Sequence, residues 1–406
     1  MIATVLFRGE SLSLPWFWIT ILNLEYTHSM AAATGGRAMP EIRVVRYVLI
    51  LLVLCLGVGW SLASVRTTEA RQSTGYPNAQ FLCTGSWLQE NMEDKGLVVV
   101  DVRDDEHFDN TLIPGAVRMP WSLFRRTDRA LGVAAEFVGL DRAQEILGQH
   151  GITRASTVVL YDSIARDGGA TASYVFWVLD LLGHEHKMIL EQGIDGWKEA
   201  GGEVVQQPNV LGSVLYQVPV REARLDLEVD GDFVRSRLSD RYYQVVDVRS
   251  PGEYSGELAN TDLNGQPLKR GHIPGAVNIS YTRNWTDKDS KEIKSYARLQ
   301  ELYQGLNPDR AVIPYCHSSR RASFSYFIFR LMGFSDVRLY SRSWNEWGQP
   351  DLFYPVETTR RELRGTELPQ GSKAAEAGQG DKEQSQEQST SPEESPDKGG
   401  YVSCGG

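Results

Sequence analysis

The sequence predicts an α/β protein of two similar domains, each a parallel sheet flanked by helices. Three observations lead there. Short apolar runs rich in Val, Ile and Leu alternate with helix-like segments, as strands covered on both faces by helices require. The alternating series then occurs twice along the chain. In the second copy an apolar run ends directly on a cysteine that opens a helix, a junction where backbone N–H groups converge.

Taken in order, residues 1–64 read as a targeting region. Arg43 and Arg46 precede an apolar run over 47–59, and Leu62-Ala63-Ser64 supplies small residues for cleavage, which is the order of a secretory signal. The run falls short of the roughly 20 apolar residues that span a bilayer. Residues 60–65 could extend it, so membrane anchoring is the second choice and export to the periplasm or another extracytoplasmic space the first. Translation starting at Met30 or Met39 would bring the basic residues near the true N-terminus.

The first copy, residues 78–205, carries a strand in Leu97-Val98-Val99-Val100-Asp101-Val102-Arg103, then Glu106-His107-Phe108 and Ile113-Pro114-Gly115-Ala116-Val117. A further strand over Thr157–Tyr161 leads to a helix over 170–182, with Gly183 at its C-terminal cap and Trp197 beyond a last strand. A polar stretch over 206–226 is the expected linker. The second copy, residues 227–358, repeats the pattern. It has Gln244-Val245-Val246-Asp247-Val248-Arg249, Glu253-Tyr254 and Gly271-His272-Ile273-Pro274-Gly275-Ala276-Val277. A strand over Ala311–Tyr315 and a helix over 322–332 follow, capped at Gly333, and the copy closes on Trp344. Residues 365–406, rich in Gln, Glu, Ser, Gly, Lys and Pro, hold too little apolar surface to offset ordering entropy and read as disordered.

Composition narrows the function. The 406 residues suit roughly two or three domains. A net charge of −10, without a basic tract, argues against nucleic-acid partners. The four cysteines, at 55, 83, 316 and 404, form no CxxC pair, so neither a metal site nor a disulfide framework is expected. No cofactor is called for.

Chemistry concentrates in Cys316-His317-Ser318-Ser319-Arg320-Arg321. Helix N-termini and neighbouring arginines favour the thiolate form of a cysteine. Arg320 and Arg321 add positive charge for an anionic substrate.

The Asp-x-Arg, Glu-Tyr, Gly-His-Ile-Pro-Gly-Ala, cysteine-loop and Trp-Asn-Glu-Trp motifs together resemble those of the tandem-domain rhodaneses, the thiosulfate sulfurtransferases, over residues 78–358. The resemblance implies a catalytically silent first domain and a catalytic second one, and this chain has Asp162 where the second copy has Cys316. It implies that thiosulfate gives sulfur to Cys316, leaves as sulfite, and that a thiol or cyanide then accepts the sulfur. The partners are therefore a small anionic sulfur donor and such an acceptor. On this reading Cys316 is the nucleophile and His317, Ser318, Ser319, Arg320 and Arg321 form the substrate loop. Asp247 and Arg249 brace the loop, and Trp344 packs near the pocket mouth. The loop is one residue shorter than in the related phosphatases, which favours sulfur over phosphate. The chain departs from the family pattern in several places: Ser319 replaces a glycine, Ser341-Arg342-Ser343 stands for an Asp-Gly-Ser, His317 takes the place of the glycine that follows the cysteine in the mercaptopyruvate branch, and Glu253 that of an arginine of several thiosulfate enzymes. The rivals are a 3-mercaptopyruvate enzyme and a non-enzymatic sulfur- or oxyanion-binding module.

Overall fold

A computed structural model describes residues 75–129 and 132–358. The expected targeting region, Cys55, the expected disordered tail and Cys404 lie outside the described residues. Among the described residues, no helix is long and apolar enough to cross a membrane.

The first repeat is built from β1 (Leu82–Cys83), β2 (Leu97–Asp101), β3 (Val117–Arg118), a hairpin of β4 (Arg125–Asp128) and β5 (Val133–Phe137), β6 (Thr157–Tyr161) and β7 (Lys187–Leu190). Between them run α1 (Gly85–Asn91), α2 (Leu140–Gln149), α3 (Ala170–Leu181) and α4 (Gly193–Glu199). The main sheet has the order β1-β7-β6-β2-β3 with every pair parallel. Val99, Val100, Val158, Val159 and Leu160 are all buried, which is why these strands read as continuous apolar runs rather than alternating ones.

The second repeat contains β8 (Glu228–Val229), α5 (Gly231–Arg237), β9 (Tyr243–Asp247), α6 (Pro251–Ser255), β10 (Val277–Asn278), α7 (Tyr296–Tyr303), β11 (Ala311–Tyr315), α8 (Arg320–Leu331), β12 (Leu339–Tyr340) and α9 (Ser343–Trp347). Parallel ladders β10-β9-β11 and β12-β8 are linked by a parallel bridge from Val312 to Val337. The strand order is thus that of the first repeat.

The repeats meet along α3 and α8. Every residue of α3 is buried, as are all of α8 but Arg330, so neither helix shows a polar stripe. Phe176 and Phe327 cross edge to face at 5.1 Å across this seam. Asp180 of α3 accepts from Tyr326 Oη at 2.8 Å and Arg330 Nε at 3.1 Å and pairs with Lys187 at 2.8 Å. Burial works against that carboxylate, but Lys187 and Arg330 hold it below its ordinary range.

The stretch expected as a linker is bound to the first repeat. Val214 N–H donates to Gly148 O, Tyr216 Oη meets His184 Nδ1 at 2.9 Å, and Arg224 N–H donates to Leu181 O. Its polar composition hid the few apolar anchors, Tyr216 and Val218, that bury.

Candidate active site

The site begins where β11 ends. Below it lies a brace that the repeat builds twice. In the second domain Arg249 forks onto Asp247, with Nε to Oδ1 at 3.0 Å and Nη2 to Oδ2 at 2.6 Å. The same Nη2 donates to Gly271 O at 2.7 Å. Tyr315 Oη donates to Asp247 and accepts the N–H of Ile273 at 3.1 Å. The first domain has the counterpart in Arg103 on Asp101 and Thr111 O, and in Tyr161 Oη under the N–H of Ile113. Trp344 caps the brace, 4.2 Å beneath the Arg249 guanidinium, and is itself fully buried. Gly271 cannot be another residue. Its φ is +108°, and a Cβ there would stand 2.2 Å from Glu357 O.

On this brace the Cys316 loop is held from behind. Trp344 N–H donates to Cys316 O at 3.0 Å and Asn345 N–H to His317 O at 2.9 Å. Cys316 N–H donates to Ser343 Oγ at 3.1 Å, which donates on to Tyr340 O. Ser343, the one residue of Ser341-Arg342-Ser343 that keeps the family's Asp-Gly-Ser pattern, is therefore part of the loop's support; a hydroxyl two residues before the Trp-Asn-Glu-Trp asparagine was the available signal. Ser319, the N-cap of α8, has φ +72° and ψ −42°, a backbone that glycine would adopt without strain. α8 starts at Arg320, two residues earlier than the apolar pattern indicated.

The thiol is buried, with Cys316 only 1% exposed. His317 is neutral at pH 7: burial first, then Arg321, pushes its pKa down to about 4.

Both loop arginines already have carboxylate partners. Arg321 makes a bidentate pair with Glu253, Nη1 to Oε2 at 2.8 Å and Nη2 to Oε1 at 2.9 Å. Burial opposes ionisation of Glu253, but Arg321 overrides it and holds the carboxyl well below its usual range. Glu253 Oε2 also accepts from the N–H and Oγ of Ser250, closing a capping box on α6. Arg320 pairs with Asp167, a residue of the first domain. Sequence reasoning missed Asp167, because nothing local marks a residue that acts across a domain seam. It likewise missed Arg125 of β4, whose Nη2 donates to Ser318 O at 3.3 Å.

The matching position of the first domain holds a carboxylate where the second has the thiol. Asp162 follows β6 as Cys316 follows β11. Its Oδ1 accepts the N–H of Gly169 at 2.8 Å and its Oδ2 those of Thr171 and Ala172 at 3.0 and 3.1 Å. Those are the N-cap and first-turn donors of α3, so the side chain of Asp162 fills its own anion cradle. Burial raises its pKa, while the three donors act in the opposite sense. Asp162 is therefore a structural plug. Among the described residues there is no cluster suited to a metal ion.

Two α/β domains of one strand order, the second with a cysteine at the end of its central strand and the first with an aspartate there, define the class. Residues 84–200 and 231–350 each match the rhodanese-like domain, and the chain belongs to this family of sulfurtransferases. It is similar to a thiosulfate sulfurtransferase of Corynebacterium glutamicum, at 31% identity over 70% of this chain and 92% of that protein. It is similar also to the sulfur carrier protein TtuD of Thermus thermophilus, at 30% identity over 68% and 95%. Among solved structures, wild-type EanB shares the fold with a TM-score of 0.58 and 22% identity, over 69% of each chain.

Proposed function

We propose that the protein moves sulfane sulfur from thiosulfate to a thiol or cyanide through a persulfide on Cys316. The Cys316 thiolate attacks the outer sulfur of thiosulfate. A new S–S bond forms, the old one breaks, and sulfite leaves with the electron pair. The acceptor then attacks the outer sulfur, and the Cys316 thiolate is the leaving group. No proton transfer is required, which suits a neutral His317 that shapes the loop.

The observation that carries this reading is the plugged cradle of the first domain. There the N-cap and first-turn N–H groups of α3 hold a carboxylate supplied by Asp162. The repeat assigns the same task to the N–H groups of Ser319, Arg321 and Ala322 at the start of α8. Cys316 replaces the carboxylate with a sulfur nucleophile, and the donors stabilise the negative persulfide without reorganising. Asp247, Arg249 and Trp344 support the loop from below. The names of the curated relatives supply thiosulfate as the donor. A second reading, 3-mercaptopyruvate as donor, is favoured by the pairing of both loop arginines, which weakens the pull on a doubly charged anion.

The test is thiocyanate formation from thiosulfate and cyanide by the wild-type chain and by Cys316→Ser. Turnover lost by at least about a thousandfold in the variant, with an unchanged melting curve, is the expected result. Residual activity above about a tenth of wild type would overturn the assignment.

A further inference from the structure

The silent domain reaches into the catalytic loop through one short segment, residues 163–168, between Asp162 and α3. This segment is anchored on both sides. On its own domain, Asp162 ties down the N–H groups that follow it. On the other, Lys291 Nζ donates to the carbonyls of Ile164 and Arg166, and Tyr281 Oη donates to Asp167 Oδ1 at 2.8 Å. Asp167 is thereby held facing the second domain, where its other oxygen pairs with Arg320. Both side chains are largely shielded from water, at 12% and 8% exposure, so the pair is only weakly screened.

We propose that Asp167 is a donor-selecting residue of the second domain's site. Its negative charge offsets Arg320 as Glu253 offsets Arg321, so the loop carries two arginines against two carboxylates. The loop then takes a doubly charged donor less strongly than its sequence suggests. The first domain, though without a nucleophile of its own, sets the charge preference of its neighbour. The proposal rests on Cys316 as the sulfur-accepting residue and assigns to that site a bias toward singly charged donors.

The experiment measures binding apart from turnover. In full-length protein carrying Cys316→Ser, thiosulfate and 3-mercaptopyruvate are titrated calorimetrically with and without Asp167→Asn. Asparagine keeps the shape and an acceptor for Tyr281 but removes the charge. With the screening of bulk water taken as the floor, losing one unit of negative charge within roughly 7 Å of a dianion strengthens binding about tenfold, and about threefold for a monoanion. The expected result is that the affinity ratio of thiosulfate to 3-mercaptopyruvate rises about threefold. Asp167→Glu, which restores the charge, returns it to its starting value. A purely structural role would move both donors equally and would not be rescued by glutamate. An unchanged ratio in Asp167→Asn overturns the proposal. A changed ratio, with no sulfur gained by Cys316 in the otherwise wild-type chain, upholds the charge role and overturns the sulfurtransferase reading instead.

Discussion

Glu253→Gln tests whether Arg321 is a fixture of the fold or a free anion ligand. Both carboxylate oxygens of Glu253 grip Arg321, and the two side chains are 7% and 9% exposed. A glutamine keeps one acceptor and offers an N–H where the guanidinium needs a second. Leaving one partner of a buried pair uncompensated costs about 3–5 kcal/mol. At about 2–4 °C per kcal/mol for a unit of this size, the melting temperature falls by roughly 6–20 °C. The assay is thermal unfolding at pH 7 of wild type, Glu253→Gln, Arg321→Met and the double variant. The double variant should lose much less than the sum of the singles, because the two deletions remove a pair rather than two independent groups. The pH dependence has a definite sign. Arg321 depresses the folded-state pKa of Glu253, so the pair's stabilisation is fully present above the unfolded value of 4.5. It is lost as pH falls below that value, and the gap between wild type and Glu253→Gln closes. Single variants melting within about 2 °C of wild type, with additive effects, would refute the reasoning. Arg321 would then be free to bind donor, as its place in the loop first suggested.

Three further outcomes follow from the same geometry, and a fourth from the N-terminal sequence. Ser319→Gly relieves a non-glycine residue at φ +72° and should stabilise the protein by about 1 kcal/mol, seen as a small rise in melting temperature with sulfur transfer retained. Asp162→Ala strands three buried N–H donors and should cost about 2–4 kcal/mol in denaturant unfolding; a loss below about 0.5 kcal/mol would mean that water replaces the plug. Burial pushes the carboxyl of Glu191 up to about 7, so from the unfolded value of 4.5 the folded state is increasingly penalised as pH rises, levelling above 7. Glu191→Gln should therefore gain about 1–3 kcal/mol over wild type at pH 8 and nothing near pH 4, read from melting curves at the two pH values. Finally, we propose that the chain is exported, and N-terminal sequencing of protein from its host should find cleavage near Ala63, whereas an intact N-terminus in the cytoplasm would contradict it.

Much of this was legible because the strands are buried on both faces. Residues 97–100 and 158–161 are unbroken apolar runs, and the matching strands at Tyr243–Asp247 and Ala311–Tyr315 made the repeat visible. The Asp-x-Arg brace was legible for a similar reason, since both members lie two residues apart and serve the same strand end. The partners of the loop arginines were not. Glu253 lies 68 residues from Arg321, and Asp167 sits in the other domain, so their meeting depends on how two sheets and a domain seam dock. The bound linker was hidden because two buried side chains do not alter the composition of a polar stretch. Ser319 was legible as a residue in a glycine's place, and it holds a left-handed angle of φ +72° there.

The central claim is that Cys316 carries the sulfur. Its most direct test is peptide-resolved mass spectrometry of the full-length chain after brief incubation with thiosulfate and removal of the excess, before and after adding cyanide. The account predicts one extra sulfur atom on Cys316, absent from Cys83, and its complete loss to cyanide. Sulfur found elsewhere, or none on Cys316 with the fold intact, would contradict it.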